Sequence, residues 1–127
     1  DLRKKYDAQW ALVTGASSGI GNALANALAA QGINVVLVAL DDMLLMSTTA
    51  ELRKQFPELQ FREIGVDLTL PSGEYMQAIE RKTEDIHVSL LFNNAGYIVT
   101  KFFHDAEAEK HLANLQCNSV AAVRITH

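Results

Sequence analysis

The stretch Trp10-Ala11-Leu12-Val13-Thr14-Gly15-Ala16-Ser17-Ser18-Gly19-Ile20-Gly21 carries the decisive pattern in this chain. An apolar run enters a cluster of three glycines, and an alanine-rich stretch with helical spacing leaves it. Strand, tight turn and helix in that order are how an α/β protein holds a dinucleotide pyrophosphate. Each glycine has its own task. Gly15 allows the sharp exit from the strand, Gly19 lets backbone approach the phosphates, and Gly21 lets the helix pack close to the sheet. The spacing is G-x-x-x-G-x-G rather than G-x-G-x-x-G.

Outward from this loop, short apolar runs alternate with helical patterns, the signature of a parallel sheet covered on both faces. The first strand is about Ala11 to Val13. The first helix carries Ile20, Leu24 and Leu28 on its apolar face, with Ala23 and Ala27 keeping it thin against the sheet and Gly32 placed to stop it. A second strand, Asn34 to Ala39, reads as buried on both faces. The second helix, about Leu44 to Phe56, ends at Pro57. Strand three is Phe61 to Val66. Helix three runs from Ser72, read as its N-cap, to about Glu84. Strand four is Val88 to Phe92, and a last helix covers roughly Ala106 to His127. Four strands and four helices in this order form one mononucleotide-binding half plus the first strand of the other.

With 127 residues, 49% apolar and 20% charged, the chain holds one globular domain at most. The formal charge of −4 argues against nucleic acid or an anionic membrane surface as a partner. Arg3-Lys4-Lys5, the one basic cluster, reads as a solvated N-terminal arm. A single cysteine, Cys117, excludes an internal disulfide and fits a reducing, cytoplasmic or cytosol-facing compartment. It reads as a small core residue. No apolar run approaches the roughly 18 residues a bilayer span needs, and no signal peptide is visible. Because the first residue is Asp1 rather than Met, an upstream targeting or anchoring segment stays open.

Three further places carry chemistry. Asn93-Asn94-Ala95-Gly96 closes strand four beside the glycine loop. Its Asn side chains can hydrogen-bond two neighbouring backbones, and Ala95-Gly96 leave room for a flat ring; the plain alternative is an Asn/Gly turn. Asp67 closes strand three and reads either as a turn or capping aspartate or as a ligand contact. On a regular helix at about 100° per residue, Leu115, Asn118, Ala122 and Ile125 fall within about 80° of one another. An amide on that face needs partners, at a cost of roughly 1 to 3 kcal/mol if it lacks them.

Thr14-Gly15-Ala16-Ser17-Ser18-Gly19-Ile20-Gly21 resembles the TGxxxGxG cofactor loop of the short-chain dehydrogenase/reductase family, and the NNAG stretch matches that family too. The resemblance spans almost the whole chain and implies a partial Rossmann-type doubly wound sheet. It also implies cofactor contacts at Gly15, Ser17, Ser18, Gly19, Ile20, Gly21, Asp41, Asp67, Leu68, Asn94, Ala95 and Gly96. Asp67 takes the place of the aspartate that meets the adenine amino group. Asn118 takes the place of the asparagine of the catalytic tetrad, which holds a water in the proton relay. The opening residues and Ile125-Thr126-His127 look most like the hydroxysteroid dehydrogenase and 3-ketoacyl reductase branch.

The family's serine and its tyrosine-lysine pair are expected beyond His127, so the chain reads as the cofactor-binding half, inactive alone. Tyr97 and Lys101 have the Tyr-x-x-x-Lys spacing but follow NNAG before any helix begins, and are not expected to be catalytic. His87, His104, His111 and His127 show no metal-ligand spacing. The cofactor is NAD or NADP. Ala39 and Leu40 stand where the family places its Asp or Arg markers, and Ser18 where a basic residue favours NADP. Asp41 and Asp42 follow, and a carboxylate there repels a 2′-phosphate. The resemblance implies a small-molecule carbonyl or alcohol as substrate, whose identity the chain does not specify. An unpaired fourth strand predicts a homo-oligomer. The alternative is a non-catalytic nucleotide-binding or interaction module.

Overall fold

The central sheet grows from the apolar runs in the expected way, and the computed structural model describes all of residues 1–127. Strand β1 is Trp10–Thr14, β2 Asn34–Ala39, β3 Phe61–Gly65 and β4 Val88–Phe92. They form one sheet in the order β3-β2-β1-β4. Every pairing is parallel, with Ala11 beside Val35 on one side and Leu90 on the other. Val35, Val36, Leu37 and Val38 are fully buried. Each such side chain is worth about 1.5–3 kcal/mol when taken out of water, and burial on both faces is why β2 is apolar without alternation.

Helices cover both faces. On one side Ala11, Val13, Val35 and Leu37 pack against α2 (Gly19–Ala29) and α3 (Met43–Gln55). On the other, Trp10, Leu12, Val36 and Val38 meet α4 (Tyr75–Thr83) and the C-terminal helical stretch. This is a Rossmann-type α/β fold. Because β4 returns to the far side of β1, the ends of β1 and β4 lie together at the point where the strand order reverses, where ligands of such sheets bind.

Four local expectations are corrected. First, α2 buries Gly21, Ala25, Leu28 and Ala29, whereas Ile20 is 74% exposed and Ala23 and Ala27 face solvent. Close packing of Gly21 on the β1 turn sets the helix phase, and Ala25 and Ala29 then supply the thin face. Second, Ser72 is not a cap. Leu70 to Gly73 close a turn (Gly73 N to Leu70 O, 3.2 Å), and α4 starts only at Tyr75, after Glu74. Third, Arg3-Lys4-Lys5 belong to a short helix, α1 (Leu2–Tyr6), capped by the Asp1 carboxylate; the three remain exposed.

The fourth correction concerns the last helix. It begins at Ala108 and runs as α5 (Ala108–Leu115), a π-helical turn (Gln116–Val120) and α6 (Ala121–Thr126). A short 3-10 turn at Phe103–Asp105 precedes it. A regular wheel is therefore the wrong ruler. Leu115 is 51% exposed and Asn118 is exposed as well, while Cys117, Ala121 and Ile125 face the sheet.

Candidate dinucleotide site

The site is assembled around one buried hydroxyl. Thr14, 2% exposed, ends β1, and its Oγ1 accepts the backbone N–H groups of Asn94 (3.0 Å) and Ala95 (2.9 Å). The same hydroxyl donates to Phe92 O at 3.4 Å. In return the Asn94 side chain donates to Thr14 O (3.0 Å) and Gly15 O (3.4 Å). The expectation that an Asn at this strand end bonds two neighbouring backbones is met by Asn94. Asn93 points elsewhere, donating to Thr126 Oγ1 at 2.9 Å. The exits of β1 and β4 are thus tied together by side chains where the sheet ladder has ended.

The three glycines differ in conformation and surroundings. Gly15 and Gly19 have φ of +65° and +53°, conformations that L side chains rarely adopt. A Cβ on Gly21 would run into the Gly15 carbonyl and stand 2.7 Å from the Asn94 amide nitrogen, so helix and loop touch there through backbone alone. A Cβ on Gly19 would meet nothing within 4 Å. Gly19 therefore opens onto free space at the N-terminus of α2, with Ser18 in the extended N-cap position and no side chain bonded across it. No acid lies between Thr14 and Gly21. Open backbone N–H groups, the positive end of an eleven-residue helix and the absence of carboxylates suit a pyrophosphate.

The remaining expected contacts lie along the same end of the sheet. Ser17 anchors the loop to α3, its carbonyl accepting from Thr48 Oγ1 at 2.8 Å. Asp42 is committed to capping α3, accepting from Leu45 N at 3.0 Å. Asp41 is exposed, and its side chain lies over Gly65 at the end of β3, where a Cβ would collide with it. Asp67 makes a turn, with Oδ1 accepting from Thr69 N (2.9 Å) and Thr69 Oγ1 (2.6 Å). The Leu68 side chain is buried among Trp10, Leu12 and Tyr75, so it offers a ligand only backbone.

Asn118 reaches the same end from the last helix. Its Oδ1 accepts from Tyr97 N (3.1 Å), and its Nδ2 donates to Tyr97 O (2.9 Å). These bonds to the Tyr97 backbone satisfy the amide, which is exposed and not on the sheet-facing side of the helix. Burial pushes the Tyr97 phenol and the Cys117 thiol up from their ordinary values, and in both cases the nearby Asp67 carboxylate adds to the rise. Tyr97 and Lys101 lie in a segment without helix and so do not share a helical face.

Two residues of this arrangement were not singled out from the sequence. Thr14 was legible as a polar β-branched residue ending an otherwise apolar strand, which must find partners when buried. Asn114, whose Nδ2 donates to Tyr97 O at 2.6 Å, gave no such signal.

A parallel sheet of this order with a glycine loop at its switch point defines a dinucleotide-binding α/β protein. Residues 9–127 match the short chain dehydrogenase family, and the chain belongs to it. Similar proteins include a very-long-chain 3-oxoacyl-CoA reductase-like protein of Arabidopsis thaliana. It is 33% identical over 126 residues, covering 98% of this chain and 40% of the relative. A 7β-hydroxysteroid dehydrogenase structure superposes with a TM-score of 0.89 at 27% identity, over 100% of this chain and 48% of that one. A short-chain dehydrogenase of Sphingobium yanoikuyae, solved with NADPH, gives 0.81 at 35% identity, over 92% and 45%. The chain thus spans less than half the length of these relatives. No helix is long and apolar enough to cross a membrane.

Proposed function

We propose that residues 1–127 form the dinucleotide-binding half of an oxidoreductase that moves a hydride between a nicotinamide cofactor and a carbonyl or alcohol. One observation carries this reading: Gly19 opens onto free space in a loop held rigid by the Thr14–Asn94 bonds. When bound, the nicotinamide supplies or takes the hydride. The chain's own residues bind and orient. Gly15, Ser17, Ser18, Gly19, Ile20 and Gly21 wrap the pyrophosphate, Asp67 and the Leu68 backbone meet the adenine, and Asn94, Ala95 and Gly96 floor the ring. Asn118 holds the relay water.

At the ribose, Asp42 is occupied as a cap, which leaves Asp41 as the carboxylate free to meet a 2′-hydroxyl. That charge supports NAD, while a relative solved with NADPH supports NADP. Both relatives named for their substrates act, by those names, on a 3-oxoacyl-CoA or a hydroxysteroid, which supports a carbonyl or alcohol of that breadth here. The lone, half-buried Cys117 supports a reducing, cytosol-facing compartment; a tagged chain found oxidised in a secretory lumen overturns that.

The test is calorimetric titration of the wild-type chain and Gly19→Val with NADH and NADPH. The Cβ of a valine at Gly19 has no protein atom within 4 Å, while the side chain adds strain of about 1–2 kcal/mol at positive φ and projects into the proposed phosphate space. Binding is expected to be lost while cooperative unfolding persists. Equal binding by the variant removes the phosphate assignment. A second reading is a nucleotide-binding or interaction module without turnover. Ketone-dependent oxidation of NADH or NADPH by this chain, lost in Tyr97→Phe, overturns that second reading.

A further inference from the structure

Two amides converge on one carbonyl at the edge of the site. Tyr97 O accepts from Asn118 Nδ2 at 2.9 Å and from Asn114 Nδ2 at 2.6 Å, while Tyr97 N donates to Asn118 Oδ1 at 3.1 Å. Tyr97 immediately follows Gly96 in a segment, Asn93 to Thr100, that has neither helix nor ladder. Its backbone is held by these side chains and not by secondary structure. Gly96 lies against the same group, since a Cβ there would stand 3.3 Å from Asn118 Oδ1.

The helix that supplies the two amides changes its winding between them. Asn114 lies in the last turn of the regular part, which ends at Leu115, and Asn118 sits in the π-helical turn Gln116–Val120, where Ala121 N–H bonds to Gln116 O, five residues back. A turn closed by i→i+5 bonds rotates each residue by less than the usual 100°, so residues four apart come nearer to one azimuth. The wider turn thereby stacks Asn114 and Asn118 over a single backbone carbonyl. A π-bulge inside an α-helix costs regular hydrogen bonding and is found often at functional sites.

We infer that Asn114 is a positioning residue for the dinucleotide site, sharing with Asn118 the task of holding Tyr97 and, through it, the Ala95–Gly96 floor. The inference rests on the dinucleotide reading given above. Asn118 bonds both the Tyr97 N–H and its carbonyl, and Asn114 adds a second, shorter bond to that carbonyl, so loss of the Asn114 amide leaves the carbonyl one donor and loosens the floor.

The test compares the wild-type chain with Asn114→Leu, an uncharged substitution of similar size, and with the milder Asn114→Ser. Affinity for NADH and NADPH is read by calorimetry, exchange of the Gly96 and Tyr97 amides by hydrogen–deuterium exchange, and stability by thermal unfolding. Loss of one hydrogen bond of this kind predicts a roughly five- to tenfold weaker dissociation constant for both dinucleotides. Faster exchange at residues 95–97 should accompany it, with a smaller effect in the serine variant. Affinities within twofold of wild type in a folded variant overturn the inference, even if the melting temperature falls. Should Asn114→Leu not fold, the serine variant alone decides by the same criterion. A wild-type chain that binds neither dinucleotide removes the dinucleotide reading itself and this inference with it.

Discussion

Around Gly15, Gly19 and Gly21 the backbone itself is the constraint, whereas along residues 108–126 the constraint is where side chains find partners. In the first region, positive φ and a helix–loop contact without any side chain leave one residue type at each position. In the second, Cys117, Ala121 and Ile125 face the sheet while Leu112, Leu115 and Val123 stay exposed, and a π-helical turn intervenes. Sterics of the first kind survive any neighbour. Partnering of the second kind depends on what lies against the helix.

The sharpest way to break the contrast is at Gly21. A single methyl there collides with the Gly15 carbonyl, and neither backbone can yield without moving Asn94 and the β4 exit. Gly21→Ala is expected to cost about 3 kcal/mol, at the upper end of what overpacking does. The midpoint of urea unfolding measures it. A loss below about 0.5 kcal/mol, within the range of an ordinary surface change, would mean that the loop gives way and that its rigidity is not set by the glycines.

The last helix should answer differently. Leu112 and Leu115 are 59% and 51% exposed, and all five residues of the β4 edge are only half-buried. We propose that a second copy of the chain covers these surfaces. Replacing both leucines with Glu is expected to change the stability of a single chain by no more than about 0.5 kcal/mol. The same change should reduce the mass seen by light scattering towards 14.0 kDa. A wild-type chain that is already monomeric across a hundredfold dilution removes the oligomer.

The same contrast explains what could be read without coordinates. The sheet order, the β2 and β4 boundaries, the turn at Gly15 and the close packing at Gly21 follow from local rules: apolar runs, turn sterics and the parallel α/β connection. On α2 hydrophobic spacing places Leu24 and Leu28 on the core side correctly but not Ile20, because the contact at Gly21 fixes the phase and Ala25 and Ala29, rather than Ala23 and Ala27, pack beneath it. Asn118 was found because a polar residue in an apolar stretch is conspicuous. Its environment was not, since the wheel assumed regular winding and the helix widens at Gln116. Ser72 looked like a cap. Nothing local reveals that Arg124, 53 residues away, donates to Pro71 O at 3.1 Å and lies against Gly73 in the turn that precedes α4.

The smallest expected effect lies at the opposite end of the sheet, on the surface. Arg62 of β3 stacks over the Trp10 ring, its guanidinium carbon 5.0 Å from the centroid, and donates to Lys82 O at 2.7 Å and to Asp85 Oδ2 at 2.8 Å. The hydrogen bond from Arg62 holds the Asp85 carboxyl below its ordinary value. A carboxyl whose pKa is lowered by folding stabilises the native state above its unfolded value, near 3.9, and that stabilisation is lost as pH falls through the folded value. The melting temperature of wild type should therefore exceed that of Asp85→Asn by a constant small margin between pH 7 and about pH 5. The margin should begin to shrink below roughly pH 4 and close as the pH falls through the lowered folded value, and it should shrink in high salt because Asp85 is exposed. The backbone contacts at Gly21 carry no charge and should ignore both variables. A margin that survives full protonation would show that Asp85 acts through packing, and would place the Arg62 contact with the sterically fixed parts of the molecule.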